Sequence, residues 1–342
     1  MKKIIGIYPW SETLANEGDK HQLLFKKALE DKGYQVKKIN LKLLFPLTHA
    51  LKKDIKVLVL DWVHSFYISQ NLLKTLVKST LGILELMFLN KRDTKIIWNI
   101  HNLHRHDEKF KIIEKFCFRQ LAKKVDYLRV FDESHKFKVA EYLQVPLTKI
   151  ISIQQGPYLY NKNIEVNIND RYKIPVDKKI LLIFGSIRTG KGIDQFLKSF
   201  IACNSDNIYL LLAGKANEKK LEKEIENLVS GVKNIKFDNK FIPDEEVMAY
   251  FTGCDYVVLP YINTLNSGVL LLARTYNVKV LANMNFINHA RASDKIGDLL
   301  NRAELQKFLD EISFEDAKSF SGQPKQYNWS TIVEKFEKLI NE

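Results

Sequence analysis

The sequence predicts an α/β protein built from two doubly wound, Rossmann-like domains. Short apolar segments of strand type alternate with helical patterns along the chain, which is typical of parallel sheets covered by helices. A polar stretch at 161–178 interrupts this alternation and divides the 342 residues into two domain-sized halves. We therefore expect a first domain over 1–160, a linker over 161–178, a second domain over 179–325 and a final helix over 326–342.

The positive charge of the chain is concentrated in its first half. The net charge is +13, and residues 1–160 hold 28 of the 53 lysines and arginines but only 16 of the 40 acids. Such an excess predicts a polyanionic partner, with simple solubility as the alternative. We find no recognised module with aromatic residues among basic ones, so we expect no nucleic acid. An anionic membrane surface or a lipid-diphosphate acceptor is the better partner.

The cysteines and the apolar runs indicate the compartment. Three scattered cysteines suggest neither a disulfide framework nor a zinc site, and they fit a reduced interior. The first residues lack the pattern of a signal peptide, and no run of 18 apolar residues occurs. Together with the basic first half, these features predict a cytoplasmic protein that is peripheral on the inner face of the cell membrane.

The first half opens with predicted strands at 3–7, 34–40 and 55–62 and a helix at 19–32. Residues 66–90 then show one long helical pattern. Its apolar positions (72, 73, 76, 77, 81, 84 and 88) recur at helical spacing, interrupted by Lys74, Lys78 and Glu85. We expect a helix that buries this stripe, with contact between the stripe and lipid as the alternative.

A histidine follows the next predicted strand, at 95–100. Ligands of open α/β sheets gather at the carboxyl ends of strands, so His101 lies where chemistry is expected. The alternatives are a purely structural role, or metal ligation together with His104 and His106. As a loop residue, His101 is expected to leave no core cavity when it is removed.

Two acids follow the predicted strand at 126–131. Asp132 and Glu133 are candidate general bases because they lie at a strand terminus. With Ser134 they equally fit the cap of the following helix. The sequence leaves both hypotheses open.

A glycine-bearing turn joins the first strand of the second half, 179–184, to a helix at 192–202. The guanidinium of Arg188 could bind a diphosphate through two parallel hydrogen bonds, and the ammonium of Lys191 could neutralise it as a point charge. A solvated turn is the alternative. The candidate phosphate-binding residues of this turn and of the next strand end are Gly185, Ser186, Arg188, Lys191 and Gly214.

A second strand–loop–helix unit, at 256–283, ends its loop at Asn266, Ser267 and Gly268. The free N–H groups and the positive dipole end of the helix form a site for a phosphate, which a glycine lets approach the backbone. A helix capped by Asn266 or Ser267, without a ligand, is the alternative.

These two turns resemble the nucleotide-sugar-binding half of GT-B glycosyltransferases, in particular bacterial polysaccharide and exopolysaccharide enzymes of the group-1 type. In that family a strand ending in a glycine turn and Lys-Gly, here Lys191-Gly192, opens the second domain. A later Ser-Gly segment, here Ser267-Gly268, holds the donor diphosphate. The resemblance implies two domains that face each other across a cleft, with the last helix crossing back to the first domain.

The resemblance also implies roles for individual residues. Phe241 and Ile242 fall where the family lays the nucleotide base, and His101 falls where a first-domain group meets the transferred sugar. Asn16 and Gly18 belong to the acceptor loop, although the usual glycine pair is missing. No Asp-x-Asp occurs in a metal-binding context, which implies that the donor binds without a metal ion or another cofactor.

One family feature is absent from the second half. Many retaining members carry Glu-x7-Glu, whose second glutamate holds the donor ribose, but Thr264 and Leu272 stand at those positions here. The ribose contact must come from elsewhere, and membership of the retaining group is in doubt.

The implied function is transfer of a hexose from a UDP- or GDP-linked sugar to a polysaccharide or a lipid-linked glycan. One alternative is a nucleotide-sugar epimerase on the same fold. The other is a non-catalytic partner subunit that binds a sugar nucleotide, which fits the missing glutamates.

Overall fold

The computed structural model describes residues 3–11, 20–42, 44–51, 54–90, 93–103, 109–158, 160, 166–262, 264–314 and 328–341. The chain forms two compact units. Unit 1 comprises Met1–Gly156 with Gln326–Glu342, and unit 2 comprises Pro157–Lys325. Each unit contains a six-stranded parallel sheet covered by helices, which confirms the predicted fold class.

The sheet of unit 1 has the strand order β2-β1-β3-β4-β5-β6. Its strands are β1 (Ile4–Trp10), β2 (Gln35–Asn40), β3 (Val57–Leu60), β4 (Lys95–Asn99), β5 (Tyr127–Val130) and β6 (Ile150–Ser152). Its helices up to residue 143 are α1 (His21–Asp31), α2 (Pro46–Leu51), α3 (His64–Tyr67), α4 (Leu72–Phe88), α5 (Lys111–Lys124) and α6 (Lys136–Leu143). The strand order runs from β1 to β2 in one direction and from β3 to β6 in the other. Because crossovers between parallel strands are right-handed, α1 lies on one face of the sheet, and α4, α5 and α6 lie side by side on the other.

The sheet of unit 2 has the strand order β12-β11-β10-β7-β8-β9. Its strands are β7 (Lys179–Phe184), β8 (Ile208–Ala213), β9 (Ile235–Asp238), β10 (Tyr256–Leu259), β11 (Lys279–Asn283) and β12 (Lys295–Gly297). Its helices are α7 (Ile168–Tyr172), α8 (Ile193–Ile201), α9 (Lys219–Val229), α10 (Asp244–Gly253), α11 (Gly268–Thr275) and α12 (Arg302–Ser313). The central strand β10 is buried at every position, as its unbroken apolar run predicts for a strand covered on both faces.

The C-terminal helix α13 (Trp329–Asn341) belongs to unit 1, where it packs beside α1. The ring of Phe336 meets that of Phe25 edge to face, with centroids 5.1 Å apart. The ammonium groups of Lys3 and Lys95 donate to the carbonyls of Ile340 and Leu339, at 2.8 and 2.9 Å. These bonds satisfy carbonyls of the last turn that have no partner within the helix.

The expected linker is part of unit 2 as far as it is described. Residues 166–178 contain α7, which packs on α10: a Cβ at Gly253 would lie 2.7 Å from Ile168 Cγ1. The guanidinium of Arg171 forms a bidentate pair with Glu246, at 2.5 and 3.1 Å. This close packing ties the segment to the second sheet.

The single long helix expected at 66–90 is wrong in two respects. The chain forms two helices, α3 and α4, and Asn71 caps the second by accepting a hydrogen bond from the N–H of Lys74 at 3.3 Å. The apolar stripe of α4 points to solvent, so the expectation that it is buried is also wrong. Among the described residues, no helix combines the length and the apolar character needed to span a membrane.

Candidate functional site

The glycine turn of unit 2 lies at the point where the strand order of its sheet reverses. Strand β7 pairs with β8 on one side and β10 on the other, and α8 and α11 start beside its carboxyl end. Such a reversal opens a crevice at the carboxyl edge, where ligands of doubly wound sheets bind. The turn after β7 and the loop before α11, identified separately in the sequence, thus follow neighbouring strands.

Two glycines of this edge are required by close backbone approach. A methyl group at Gly214 would overlap the carbonyl oxygen of Gly185, which itself has φ +83°. A Cβ at Gly192, where φ is +67°, would lie 2.5 Å from the carbonyl oxygen of Pro260. Backbone segments from three strand ends therefore meet without intervening side chains. Gly268 differs, because among the described residues a Cβ there would meet the ring of Tyr158, at an ordinary 3.4 Å.

The turn after β7 is held by the loop after β8. Backbone bonds join Ile187 to Lys215 and to Asn217, each at 3.0 Å, and the amide of Asn217 donates to Ser186 Oγ at 2.9 Å. The carboxylate of Glu218 accepts from the N–H and the hydroxyl of Thr189, at 3.1 and 2.8 Å. Neither Asn217 nor Glu218 was predicted from the sequence, although both lie in the loop that follows the apolar run of β8.

The two cations predicted for a diphosphate, Arg188 and Lys191, lie in this turn, and both are half-buried. Lys191 Nζ donates to the carbonyl oxygen of Ser186 at 2.5 Å and lies 5.0 Å above the ring of Tyr261. Burial, and next the charge of Arg188, lowers the pKa of Lys191 to about 7. Burial also lowers the pKa of Arg188. Desolvated cations of this kind gain most from an anion, because a diphosphate restores the interactions that water no longer supplies.

The lowered pKa of Lys191 predicts that donor binding takes up protons. Above about pH 7 part of the population is neutral, and a bound diphosphate favours the ammonium form, so donor affinity should fall as the pH rises. Calorimetry with a nucleotide sugar at about pH 8, in buffers of different ionisation enthalpy, should show net proton uptake. Lys191→Met is the control in which the uptake disappears. Equal heats for the wild-type protein in all buffers would contradict the assignment.

The loop before α11 contains the predicted cap. Ser267 Oγ accepts a hydrogen bond from the N–H of Leu270 at 3.1 Å, so the capping role holds for this residue. The carbonyl of Asn266 accepts from the hydroxyl of Thr264 at 2.7 Å. Burial raises the pKa of Tyr261. The charge of nearby Arg188 and the hydrogen bond to Ser267 lower this pKa by smaller amounts. The cap, a tyrosine and a cation thus meet at the start of α11.

The residues expected at the nucleotide base differ in exposure. Phe241 is 50% exposed, so its ring is accessible to a planar ligand, whereas Ile242 is buried, with 6% exposed. Leu272, which stands where retaining enzymes carry a glutamate, is buried at 5%. It packs within the unit, and it offers no polar group to a ribose.

In unit 1, His101 lies beside an aspartate, Asp61, that was not predicted from the sequence. Asp61 directly follows β3 and His101 lies two residues past β4, so these neighbouring strands bring both side chains to the carboxyl edge of the sheet. His101 Nε2 and Asp61 Oδ1 are 2.7 Å apart. Asp61 also accepts from Asn99 Nδ2 at 2.9 Å and Gln22 Nε2 at 3.0 Å. The signal for Asp61 was a lone acid at the end of an apolar strand.

The network fixes the charge of Asp61 and the orientation of His101. Burial alone would raise the pKa of Asp61, but the hydrogen bond and charge of His101 and the hydrogen bond of Gln22 hold it below its usual value. A carboxylate that accepts from Nε2–H selects the tautomer of His101 in which Nδ1 is the basic nitrogen. The ring of Trp62 stacks on that of His101, with centroids 4.5 Å apart.

His101 is more deeply buried than expected. Only 8% of it is exposed, and its ring also contacts those of His21 and Phe131. The expectation that its removal leaves no core cavity is therefore wrong. Burial, as the largest effect, lowers the pKa of neighbouring His21 to about 3, so that this ring is neutral.

One cluster is a candidate metal site, because His21, Asp61 and His101 bring ligand-type atoms within 4.8 Å of one another. The separation of 2.7 Å between His101 and Asp61 is that of a hydrogen bond. Two ligands of a tetrahedral zinc ion, each about 2.0–2.2 Å from the metal, would be about 3.3–3.6 Å apart. The geometry fits a histidine–carboxylate pair better than a ligand set. His104 and His106, the other suggested ligands, lie outside the described residues.

The two acids after β5 have structural partners. Asp132 Oδ1 accepts from the N–H and the hydroxyl of Ser134, at 2.8 and 2.5 Å, and so caps a 3-10 turn at Glu133–His135. Glu133 forms an exposed ion pair with Lys136 at 2.8 Å. The structure thus gives Asp132 the capping alternative, while a role as general base stays untested for both acids. Asn16 and Gly18 lie outside the described residues.

Comparison with known proteins gives one family and a group of relatives. A family model described as Glycosyl transferases group 1 matches residues 165–269. The chain is similar to a GDP-mannose:glycolipid 4-beta-D-mannosyltransferase of Xanthomonas campestris pv. campestris, with 25% identity over 253 residues, 74% of this chain and 68% of the relative. A second protein of the same name and species is 24% identical over 250 residues.

Solved structures show the same fold over the whole chain. Sucrose-phosphate synthase from Thermosynechococcus elongatus superposes with a TM-score of 0.74 at 14% identity, covering 100% of this chain and 98% of that one. Anabaena Alr3699/HepE in complex with UDP and glucose gives 0.70 at 11% identity, covering 100% of both chains. Taken together, the family match in unit 2, the mannosyltransferase relatives and the two-sheet fold of these structures support a GT-B glycosyltransferase of the group-1 type.

Proposed function

We propose that the protein transfers a hexose from a GDP- or UDP-linked sugar to a lipid-linked glycan or polysaccharide acceptor at a membrane surface. The observation that carries the proposal is the cationic glycine turn 185–192 at the strand-order reversal of unit 2, within the segment that the family model matches. The relatives that use GDP-mannose and a glycolipid favour GDP-mannose and a lipid-linked acceptor.

The donor diphosphate would be held by the protein alone. Arg188, Lys191 and the N–H groups at the start of α11 supply the positive charge that a metal ion provides in other enzymes, so donor binding would need neither a metal ion nor another cofactor. The exposed ring of Phe241 would lie against the base.

The reaction would be a displacement at the anomeric carbon. The acceptor hydroxyl forms the new carbon–oxygen bond, the bond from the anomeric carbon to the diphosphate oxygen breaks, and the nucleoside diphosphate leaves with the electron pair. His101 would take the hydroxyl proton at Nδ1, and the carboxylate of Asp61 would stabilise the resulting imidazolium. We infer inversion of configuration, because in a single displacement the hydroxyl attacks the anomeric carbon from the side opposite the leaving diphosphate.

The test is transfer from GDP-mannose and from UDP-glucose to a membrane extract and to a synthetic lipid-diphosphate glycan, with EDTA present throughout. Formation of a product that requires the nucleotide sugar, and whose anomeric configuration is inverted as measured by NMR, supports the proposal. Donor binding without turnover on either acceptor would instead indicate the non-catalytic partner subunit. Conversion of the donor sugar without an acceptor would indicate an epimerase.

The two cations should each contribute to donor affinity. Arg188→Ala and Lys191→Ala should weaken binding of a nucleotide diphosphate by about 1.5–3 kcal/mol each, since charge-assisted hydrogen bonds are lost. Calorimetry with GDP and UDP measures the change. Lys198→Ala, which removes an exposed lysine of α8 paired with Glu224, is the matched control and should leave affinity unchanged. Wild-type affinity in both site variants would remove the turn from the donor site.

A further inference from the structure

The feature that the proposed chemistry does not use is the outward face of α4. Around this helix the usual pattern is inverted: four of the five buried positions are small or polar, namely Thr75, Ser79, Gly82 and Glu85, and the fifth is Leu86. The apolar side chains point outward, with exposed fractions between 42% and 81%; they are Leu72, Leu73, Leu76, Val77, Leu84, Met87 and Phe88. Soluble proteins rarely expose a contiguous apolar face of this size without a partner.

Specific contacts fix this orientation of the helix. A Cβ at Gly82 would lie 2.6 Å from the ring of Tyr67, so only glycine allows α4 to approach α3 this closely. The buried carboxylate of Glu85 accepts a hydrogen bond from the N–H of Thr48 at 2.7 Å. Rotating the apolar stripe inward would lose both contacts and would replace glycine by large side chains at the ring of Tyr67.

The two helices beside α4 extend the apolar face. On α5, Ile112 is 87% exposed and Phe116, one turn later, is 54% exposed. On α6, Phe137 is 74% exposed. Helix α5 packs against both α4 and α6, so these residues continue one surface across three neighbouring helices.

Exposed lysines accompany the apolar residues on each helix. Lys74 lies beside Leu73, Lys111 beside Ile112, and Lys138 beside Phe137. The first half of the chain also carries most of the excess positive charge. Apolar side chains among lysines form the pattern that places a helix at the boundary between headgroups and acyl chains of an anionic membrane. A second copy of the chain would bring this cationic surface against itself.

We propose that the outward faces of α4, α5 and α6 form a membrane-docking surface, which inserts apolar side chains between the headgroups of anionic phospholipids. The proposal deepens the function proposed above. The three helices begin after β3, β4 and β5, at the same edge of the unit 1 sheet as His101. Docking through this surface would hold that edge near the membrane, where a lipid-linked acceptor presents its sugar.

The test is binding of the full chain to vesicles, measured by flotation without donor or acceptor. Wild-type protein should bind vesicles with about 30% phosphatidylglycerol, bind pure phosphatidylcholine weakly, and lose affinity between about 0.1 and 0.5 M salt. Leu73→Ser/Phe88→Ser/Ile112→Ser should lower the vesicle partition coefficient by roughly 100-fold, because three large apolar side chains no longer insert. Val176→Ser/Phe314→Ser removes two residues of unit 2 with similar exposure, 93% and 87%, and should bind as the wild type does.

A charge variant keeps the test independent of folding. Lys74→Glu/Lys111→Glu/Lys138→Glu retains the apolar residues and should abolish the preference for phosphatidylglycerol, with an unchanged melting temperature. Wild-type vesicle binding by both surface variants would overturn the proposal. The proposal would also be overturned if the wild type were a dimer that does not bind vesicles and the apolar variant were a monomer. A second copy of the chain would then cover the surface. Neither measurement requires turnover, so failure of the proposed transferase activity would be seen separately.

Discussion

Replacing His101 with alanine is expected to lower turnover by roughly 10²–10⁴-fold, because the proposed base and its orientation are both lost. Since the diphosphate contacts are assigned to unit 2, the affinity for GDP or UDP should be nearly unchanged. The melting temperature should fall as well, by an amount that corresponds to about 2–4 kcal/mol, because the removed ring is buried against Trp62 and Asp61 loses a donor. The alanine substitution alone therefore does not separate a loss of catalysis from a loss of folding stability.

Two further variants separate these effects. His101→Gln can still donate to Asp61 but cannot take up a proton, so it should keep most of the stability and show the same loss of turnover. Asp61→Asn removes the charge that stabilises the imidazolium, and it should lower kcat while leaving the KM for the donor unchanged. Asp61 is thus assigned as a positioning residue. Wild-type turnover in His101→Gln, measured at equal folded fraction, would end the catalytic assignment, and Asp132 and Glu133 would be tested next.

Gly214→Ala is expected to have the largest effect on the donor site through structure alone. The added methyl group would overlap the carbonyl oxygen of Gly185, so the turn after β7 must move. We expect a loss of about 3 kcal/mol or more in the free energy of unfolding, and a loss of roughly 100-fold in donor affinity because the cations of the turn move with it. Thermal unfolding and calorimetry with GDP and UDP measure the two effects.

Gly231→Ala is the matched control for this substitution. Gly231 has φ +79°, but among the described residues none other than its chain neighbours has an atom within 4 Å of the position that an added methyl group would take, so alanine there should cost only backbone strain of about 1 kcal/mol. Its donor affinity should equal that of the wild type. Equal behaviour of the two alanine variants would show that the turn accommodates the methyl group, and the close approach would lose its assigned importance.

The order of elements and the position of the glycine turn after β7 could be predicted from the sequence because both depend on local patterns. Unbroken apolar runs such as that of β10 indicate strands buried on both faces, and polar residues after such runs indicate the carboxyl edge. After residue 284 the apolar pattern was too weak to predict individual strands and helices. Strand β12 has only three residues, and α12 becomes recognisable mainly through its cap, Asn301, which accepts from two N–H groups of the first turn at 3.0 and 3.2 Å.

What the sequence by itself determined is therefore the fold class, the family resemblance and the chemistry available at each strand end. Only the tertiary structure decided which side chains share an environment. Asp61 and His101 are 40 residues apart and meet because β3 and β4 are neighbours in the sheet, which no local pattern encodes. The exposure of α4 was decided in the same way. Its apolar period is that of a buried helix, but the contacts of Gly82 with Tyr67 and of Glu85 with Thr48 turn the opposite face inward. Periodicity shows that a helix has two faces, and the surrounding packing determines which of them is buried.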